Sequence, residues 1–332
     1  MQRSKTILFI CLLVASGLAH ALPTAKITLK VIDENGLPVK GAKVAANFSV
    51  GGSGSLDKNR TDSDGLATLS NSGIRHVEYG AHKEGYYRSG NEFDFKSISG
   101  ITGFRRWQPW NETLTLVLKK IKNPRALYIG SHKGGSYLSP SINMPGYQKR
   151  KVYDLGLGEE YAYDLVVDDW VVPHGKGKHS DFIFKLTGQV TGNRESDFSL
   201  IMTFSNDGDG IQKHDAHPIY GSRLRLPHDA PIDGYGDELI QRRASTYNHF
   251  IANDFPDDRN YFFRIRTKKD EQGNIVSALY GKIYGNIDFS AAGSISMLYY
   301  LNPDPNDRNL ESDYKKNMFP SKHKYGFTEY PP

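Results

Sequence analysis

Two short polar segments, residues 173–180 and 205–217, hold the side chains best suited to chemistry. The first combines histidines and lysines with alternating glycines, in the order Pro-His-Gly-Lys-Gly-Lys-His-Ser. Ammonium groups and the exposed N–H groups of a glycine-rich loop can together bind an anionic group. The candidate ligand-binding residues of this segment are His174, Lys176, Lys178 and His179. The alternative is a basic hairpin loop that binds nothing.

The second segment offers carboxylates and imidazoles, which are ligands for divalent cations. Its Ser-Asn-Asp-Gly-Asp-Gly string matches the middle of a calcium loop, but Ser205 and Ala216 stand where the first and twelfth ligands belong. Two imidazoles and a carboxylate follow in a His-Asp-Ala-His string. The candidate metal ligands are Asp207, Asp209, His214, Asp215 and His217. Calcium or another divalent cation could bind here, against the alternative of turn residues and solvated histidines, and no other cofactor is predicted.

The three tryptophans of the chain are candidates for stacking on a sugar ring. Trp107 and Trp110 belong to an Arg-Arg-Trp-Gln-Pro-Trp string, whose bases and rings could form an exposed patch. Trp170 lies just before the basic segment 173–180. The alternative is that the rings cover the edge of a hydrophobic core or seal an interface between domains.

The sequence contains no motif that indicates a catalytic residue. It contains neither the Gly-x-Ser-x-Gly elbow of serine hydrolases nor a His-Glu-x-x-His zinc motif. Asp168 and Asp169 are adjacent, and adjacent residues of a strand point to opposite faces, so they cannot form the acid–base pair of a glycosidase. A carboxylate-dependent hydrolase would need a distant partner for Asp169, and a metal-dependent one would use the region 174–217.

Residues 1–21 have the pattern of a secretory signal peptide. Arg3 and Lys5 precede an apolar run, and Ala19-His20-Ala21 matches the cleavage site. We therefore expect a secreted protein, in the periplasm or at the cell surface. Cleavage would remove Cys11, the single cysteine, so no disulfide would stabilise the mature chain.

Charge and hydropathy argue against two classes of partner. Cleavage removes two of the 42 basic residues and none of the 37 acidic ones, so the mature chain keeps a formal charge of +3. This weak charge, without a long basic cluster, does not indicate nucleic-acid binding. After the signal peptide no apolar run approaches the roughly 18 residues that span a membrane, so no transmembrane segment is predicted.

The elements that must position the candidate residues are mainly β-strands, in two predicted domains. Within residues 22–122, polar and apolar side chains alternate in short runs such as Lys26–Ile32 and Thr113–Leu118. Asn35-Gly36 is a strong turn signal after the first run. Five or more short strands in this range predict a small antiparallel sandwich.

This first domain resembles the carboxypeptidase regulatory-like or Ig-like bacterial module. The resemblance rests on Asp-Glu-Asn-Gly-Leu-Pro-Val-Lys-Gly-Ala-Lys-Val, on Thr-Asp-Ser-Asp-Gly and on Lys-Glu-Gly-Tyr, which follow one another between residues 33 and 86. It implies an Ig-like sandwich that serves as a spacer, docking or display unit, and it implies no chemistry.

Residues 123–301 predict a larger antiparallel sandwich of the jelly-roll kind. Its centre is the stretch 161–211, with strands predicted at Tyr163–Val172, Asp181–Thr187 and Asp197–Phe204. One helix is predicted over residues 237–253, where apolar side chains recur at three- or four-residue spacing, namely Ile240, Ala244, Tyr247 and Ile251. An irregular tail is predicted for residues 302–332.

The C-terminal half is similar to a group of uncharacterised secreted bacterial proteins. The similarity rests on Gly-Lys-Gly-Lys-His-Ser-Asp-Phe-Ile-Phe, on Phe-Ser-Asn-Asp-Gly-Asp-Gly-Ile-Gln, on Ala-Leu-Tyr-Gly-Lys-Ile-Tyr-Gly and on Tyr-Tyr-Leu-Asn-Pro-Asp-Pro. It implies no activity.

From these features we predict a secreted binding or cell-envelope protein that recognises extracellular glycan through aromatic loops. Its partner would be a glycan or an envelope protein. Two alternatives stay open, a metal- or carboxylate-dependent hydrolase and a structural component of surface assemblies.

Overall fold

The computed structural model describes residues 22–48, 56–101, 104–132, 142–145, 158–192, 195–217, 220–247, 249–291, 293–319 and 332. The predicted signal peptide lies outside these residues. They form a mainly β structure with several antiparallel sheets, as predicted, and one turn of 3-10 helix at Tyr314–Lys316. Within them, no helix has the length and apolar character needed to cross a membrane.

The N-terminal part forms two sheets around one hydrophobic cluster. Its strands are β1 (Thr24–Asp33), β2 (Lys43–Asn47), β3 (Leu56–Arg60), β4 (Leu66–Ser72), β5 (His76–His82), β6 (Ser89–Asp94), β7 (Ser97–Ser99), β8 (Arg106–Gln108) and β9 (Glu112–Leu118). One sheet has the order β4-β1-β8-β7 with β9 parallel to β1, and the other has the order β6-β5-β2-β3. Alternation turns one face of each strand inward, so both sheets contribute buried side chains such as Leu29 and Val44.

The turn after β1 follows the chemistry of its residues. The carboxylate of Asp33 accepts hydrogen bonds from the backbone N–H groups of Asn35 and Leu37, at 2.9 and 3.0 Å. Gly36 has a φ of +79°, in the left-handed region that favours glycine. The strand predicted over Lys26–Ile32 and the turn at Asn35-Gly36 are both present.

The C-terminal part forms two larger sheets. Its strands are β10 (Tyr128–His132), β11 (Ile142–Asn143), β12 (Glu160–Asp164), β13 (Asp169–Trp170), β14 (Phe182–Gly192), β15 (Glu195–Thr203), β16 (Gly210–Asp215), β17 (Gly221–Ser222), β18 (Glu238–Thr246), β19 (His249–Asn253), β20 (Arg259–Lys269), β21 (Ile275–Ile283), β22 (Asp288–Phe289) and β23 (Ser294–Leu301). One sheet has the order β13-β12-β14-β15-β18-β19. The other has the order β10-β23-β21-β20-β16, with β11 and β22 beside β23. Aromatic side chains from both sheets, such as Phe184 and Phe263, share one core.

The helix predicted over residues 237–253 is wrong, because this range forms the hairpin of β18 and β19. Ile240 and Tyr247, two residues of the supposed apolar stripe, are 50% and 65% exposed. Leu239 and Gln241 are buried instead, at two-residue spacing, and of the supposed stripe Ala244 is buried as well. Pairing of β18 along β15 therefore overrides a helix-like local pattern.

The strand predicted over Tyr163–Val172 is also interrupted. β12 ends at Asp164, and a turn precedes β13, with Asp168 at a φ of +57°. The carboxylate of Asp164 accepts from the backbone N–H groups of Val166 and Val167, at 3.0 and 3.1 Å, which holds the chain in this turn.

Residues 302–319, the described part of the predicted tail apart from Pro332, are not a loose surface segment. Asn302, Leu310 and Glu311 are fully buried. Glu311 accepts from the phenol of Tyr87 at 2.7 Å and from the backbone N–H of Asn123 at 2.6 Å. Strand β17 also extends the N-terminal sheet by pairing with β6. The two predicted domains therefore share a polar, hydrogen-bonded contact.

Candidate binding site

A cavity of about 410 Å³ opens in the C-terminal part between the two polar segments singled out in the sequence. Segment 173–180 contributes His179, and segment 205–217 contributes Asn206. The other lining residues come from β20, from β21 and from the segment after β23, namely Arg266, Thr267, Lys268, Ser277, Leu279, Pro303 and Pro305. The cavity thus joins segments that are far apart in the sequence.

The two polar segments are held together by direct hydrogen bonds. The hydroxyl of Ser205 donates to the carbonyl oxygen of Ser180 at 2.8 Å. The buried carboxylate of Asp209 accepts from the backbone N–H groups of Arg266 and Thr267, at 3.1 and 2.8 Å, and from the amide of Asn206 at 2.8 Å. Asp209 therefore fixes one wall of the cavity.

Arg266 forms the polar back of the cavity. Its Nε and Nη2 donate to the two carboxylate oxygens of Asp181, each at 2.8 Å, and Nη2 also donates to Asp164 at 2.8 Å. Desolvation would lower the pKa of Arg266, but the two carboxylates raise it, so the guanidinium stays charged. Its φ of +54° is uncommon for a residue other than glycine and holds the side chain in this position.

The two carboxylates behind Arg266 respond to burial differently. Desolvation raises the pKa of Asp181, although Arg266 opposes this effect. Desolvation is also the largest influence on Asp164, but its pKa is lowered by the backbone N–H groups of Lys178, Val167 and His179 together with Arg266. Asp164 is therefore an ionised anchor for the loop.

This anchoring changes the interpretation of the glycine-rich segment 173–180. The backbone N–H groups of Lys178 and His179 donate to Asp164, at 2.9 and 3.1 Å, and that of Lys176 donates to Asp169 at 3.1 Å. These donors are turned inward, so the predicted anion site built on backbone N–H groups is wrong. The side chains of His174, Lys176, Lys178 and His179 remain exposed.

Trp170 cannot stack on an external sugar, which corrects the prediction for this residue. It is 7% exposed and makes edge contacts with the rings of Tyr161, Tyr163 and Phe184, at centroid distances of 6.2, 5.1 and 6.2 Å. Its strand β13 pairs with β12 and directs the indole into the core.

The other two tryptophans lie in the N-terminal part. The indole N–H of Trp107 donates to the carbonyl oxygen of Gly73 at 2.9 Å, and its ring packs on the hydrophobic cluster beside Phe95. The ring of Trp110 lies 4.7 Å from the guanidinium of Arg106 and 5.8 Å from the ammonium of Lys26. Trp107 therefore covers the edge of the core, and Trp110 is engaged by two cations.

The five predicted metal ligands do not converge. Asp207 pairs with Lys269 at 2.7 Å and Asp215 with Arg259 at 2.8 Å, while the backbone holds Asp209 as described above. His214 packs on Phe262, and desolvation lowers its pKa; His217 stacks on Tyr220. Within the described ranges, no group of three or more His, Cys, Asp or Glu side chains could hold a metal ion. The predicted cation therefore has no ligand set among these residues.

Most of the cavity was not predicted from the sequence. Arg266 and Thr267 belong to a strand without any motif, and their role depends on the backbone conformation at Arg266. Pro303 and Pro305 fall in the predicted tail. The Asn-Pro-Asp-Pro string at 302–305 was the one available signal, since it breaks the strand pattern at a fixed point.

Comparison with known proteins gives little guidance. No family model matches the chain, and no curated protein matches it. A solved structure of 3-chlorocatechol 1,2-dioxygenase from Rhodococcus opacus has a TM-score of 0.25 and 14% identity, over 31% of this chain and 62% of the dioxygenase. The shaft pilin SpaA from Lactobacillus rhamnosus has a TM-score of 0.22 and 12% identity, over 56% of this chain and 89% of the pilin.

A third solved structure belongs to an uncharacterised bacterial family. The DUF3823 family protein from Parabacteroides merdae has a TM-score of 0.21 and 6% identity, over 83% of this chain and 96% of that protein. Likenesses at this level assign no function.

Proposed function

We propose that this chain is an extracellular binding protein that holds a saccharide in the cavity between segments 173–180 and 205–217. The observation that carries this proposal is the cavity's volume of about 410 Å³ combined with a lining of both apolar and polar side chains. Ligand pockets commonly range from about 300 to 1,000 Å³ and combine apolar area with a few positioned polar groups. One or two sugar units are of suitable size for this cavity.

The lining offers both kinds of contact that a sugar ring makes. Leu279, Pro303 and Pro305 are apolar side chains against which the C–H face of a sugar could pack. His179, Asn206 and Arg266 supply polar groups for the hydroxyls. Arg266 needs no rearrangement to bind a hydroxyl, because Asp181 and Asp164 already fix its guanidinium.

The same geometry argues against the hydrolase alternative. Glycoside hydrolysis needs two carboxyl groups that flank the bond to be broken. Among the described residues that line the cavity there is no aspartate or glutamate. Asp164 and Asp181 lie behind Arg266 with side chains that are 1% exposed, so neither can reach a substrate.

A direct test is a glycan array followed by calorimetry with the best ligand. The substitution Ser277→Trp would fill the cavity, since Ser277 lines it from β21. We expect it to weaken binding by about tenfold or more. Val276→Trp is the matched control, because Val276 is the neighbouring residue of the same strand, is 52% exposed and points to the opposite face.

The outcomes separate three possibilities. Loss of binding in Ser277→Trp with retention in Val276→Trp supports the cavity. If Trp110→Ala abolishes binding and Ser277→Trp does not, the saccharide binds the aromatic patch and the cavity proposal is wrong. If the chain binds no saccharide and self-associates instead, the structural alternative replaces the proposal.

A further inference from the structure

Bases from three neighbouring strands form a row across the outer face of an N-terminal sheet. Arg60 on β3 lies directly opposite Lys43 on β2, and Lys43 lies directly opposite His82 on β5. Adjacent strands are about 4.8 Å apart, so the row presents a base about every 5 Å. Val44 and Ala81, the residues next to Lys43 and His82 along the two strands, are buried in the core, so the row faces outward.

This row borders an open groove of about 860 Å³. Lys58 and Arg88 add two more cationic side chains to its lining. Ala45 lies directly opposite Gly80, and both line the groove. Because their side chains are small, they form a low floor. Among the described residues that line the groove there is no aspartate, glutamate, phenylalanine, tyrosine or tryptophan. The groove is therefore cationic throughout and has no stacking surface.

Most of the cations that line the groove have no ion-pair partner within the described part of the chain. There, Lys43, Lys58 and Arg88 belong to no ion pair, and Arg60 donates to the carbonyl oxygen of Gly41 at 3.3 Å. The neighbouring carboxylate of Asp57 accepts from the backbone N–H of Ser70 at 2.8 Å instead. Like charges directly opposite each other in a sheet reduce stability. A bound anion would relieve this repulsion.

We propose that this groove binds a linear anionic polysaccharide, carboxylated or sulfated. A polymer with regularly spaced negative groups can engage several bases of the row at once. The low floor of Ala45 and Gly80 leaves room for sugar rings between the cationic edges. Proteins that bind single-stranded nucleic acid combine such charge with aromatic side chains on which bases stack, and this groove lacks them. The groove is distinct from the cavity of the C-terminal part, and the proposal does not depend on that cavity.

The test measures binding of the whole chain to four probes: polygalacturonate, dextran sulfate, neutral dextran and a single-stranded DNA oligonucleotide. We expect binding to the two anionic polysaccharides, none to neutral dextran, and a loss of about tenfold in affinity between 50 and 200 mM salt. The double substitution Lys43→Gln with Arg60→Gln should weaken binding by about tenfold or more. Ala45→Glu, which places a carboxylate on the floor, should do the same.

The matched control is Lys30→Gln with Lys96→Gln, which removes two exposed bases of the same part of the chain outside the groove. It should change the affinity by less than about twofold. Equal weakening by the control would assign the binding to net charge and overturn the proposal. Tighter binding of the oligonucleotide than of either polysaccharide would also overturn it. Ser277→Trp should leave this binding unchanged, so failure of the groove and failure of the cavity are distinguishable.

Discussion

Arg266 binds Asp181 through two parallel hydrogen bonds, from Nε and from Nη2, each 2.8 Å long. Asp164 accepts from the same Nη2, so one guanidinium binds two carboxylates whose side chains are 1% exposed. A planar guanidinium is suited to this role because its donors match the spacing of carboxylate oxygens. The pairing ties β20 to the turn after β12 and to the start of β14, and thereby supports the wall of the cavity.

Replacing Arg266 by alanine should lower the free energy of unfolding by about 3–5 kcal/mol, because it leaves two buried carboxylates without a cation. Arg266→Lys keeps the charge but loses the second parallel bond, so its loss should be smaller. Urea unfolding at neutral pH measures both effects.

The control for this prediction is Arg242→Ala. Arg242 also binds an aspartate through two bonds, to Asp197 at 2.9 and 2.7 Å, but this pair is exposed. Exposed ion pairs contribute little to stability, so the control should unfold almost as the parent does. A similar loss in both variants would show that burial of the carboxylates is not the cause.

The second prediction concerns the tryptophans. Trp170→Ala should destabilise the chain by about 3–5 kcal/mol, because it leaves a cavity in the aromatic core. Trp110→Ala should cost about 1 kcal/mol or less, because Trp110 lies outside the core and loses only its contacts with cations. Thermal or urea unfolding of the two variants checks this order, and equal losses would contradict it.

The local spacing of apolar residues predicts that the chain is mainly β. It fails where pairing between strands that are distant in the sequence determines the secondary structure. The alternation of β1 predicts its buried face directly. In β18, the spacing of Ile240, Ala244 and Tyr247 matches a helix, yet the pairing of Ile240 with Ile201 places that side chain on the outer face. No local signal distinguishes these two cases, because the partner strand lies about forty residues away in the sequence.

The same limit applies to the candidate site. The two polar segments hold the predicted ligand-binding and metal-binding residues, and His179 and Asn206 from these segments line one cavity. The sequence predicts an anion site and a cation site in these segments. It does not show that the carboxylates of Asp164 and Asp209 accept from the backbone N–H groups around them. The burial of Trp170 has the same origin, since the pairing of β13 with β12 sets the direction of its ring.

The third prediction concerns the contact between the N- and C-terminal parts. Glu311 is fully buried and accepts from Tyr87, from the backbone N–H of Lys122 at 2.9 Å and from that of Asn123. In Glu311→Gln, one of these donors must face an NH₂ group. The expected loss is about 1–3 kcal/mol, with faster trypsin cleavage at the lysines of segment 119–122.

Glu112→Gln is the control for Glu311→Gln, because Glu112 is exposed at the start of β9. This variant should keep both the stability and the cleavage rate of the parent. If Glu311→Gln unfolds earlier but is cleaved no faster at residues 119–122, the carboxylate stabilises the fold without closing this contact.

The amine of Lys282 is fully buried. Its Nζ donates to the phenol of Tyr284 and to the main-chain oxygen of Pro332, both at 3.0 Å. The rings of Tyr284 and Tyr300 lie 4.5 and 4.7 Å from it. Desolvation lowers the pKa of Lys282 well below its ordinary value, and the charge of Glu311 opposes this effect only in part.

Lys282→Met removes the amine, and Tyr284 can still donate to the main-chain oxygen of Pro332 at 2.7 Å. Between the lowered pKa and the ordinary value of 10.5, the unfolded parent binds a proton that the folded parent does not. The stability of the parent should therefore fall, relative to the variant, as pH decreases through this window. Urea unfolding at pH 7 and 9.5 measures the difference, with Lys30→Met as the exposed control. A difference in stability that is the same at the two pH values would contradict a lowered pKa of Lys282.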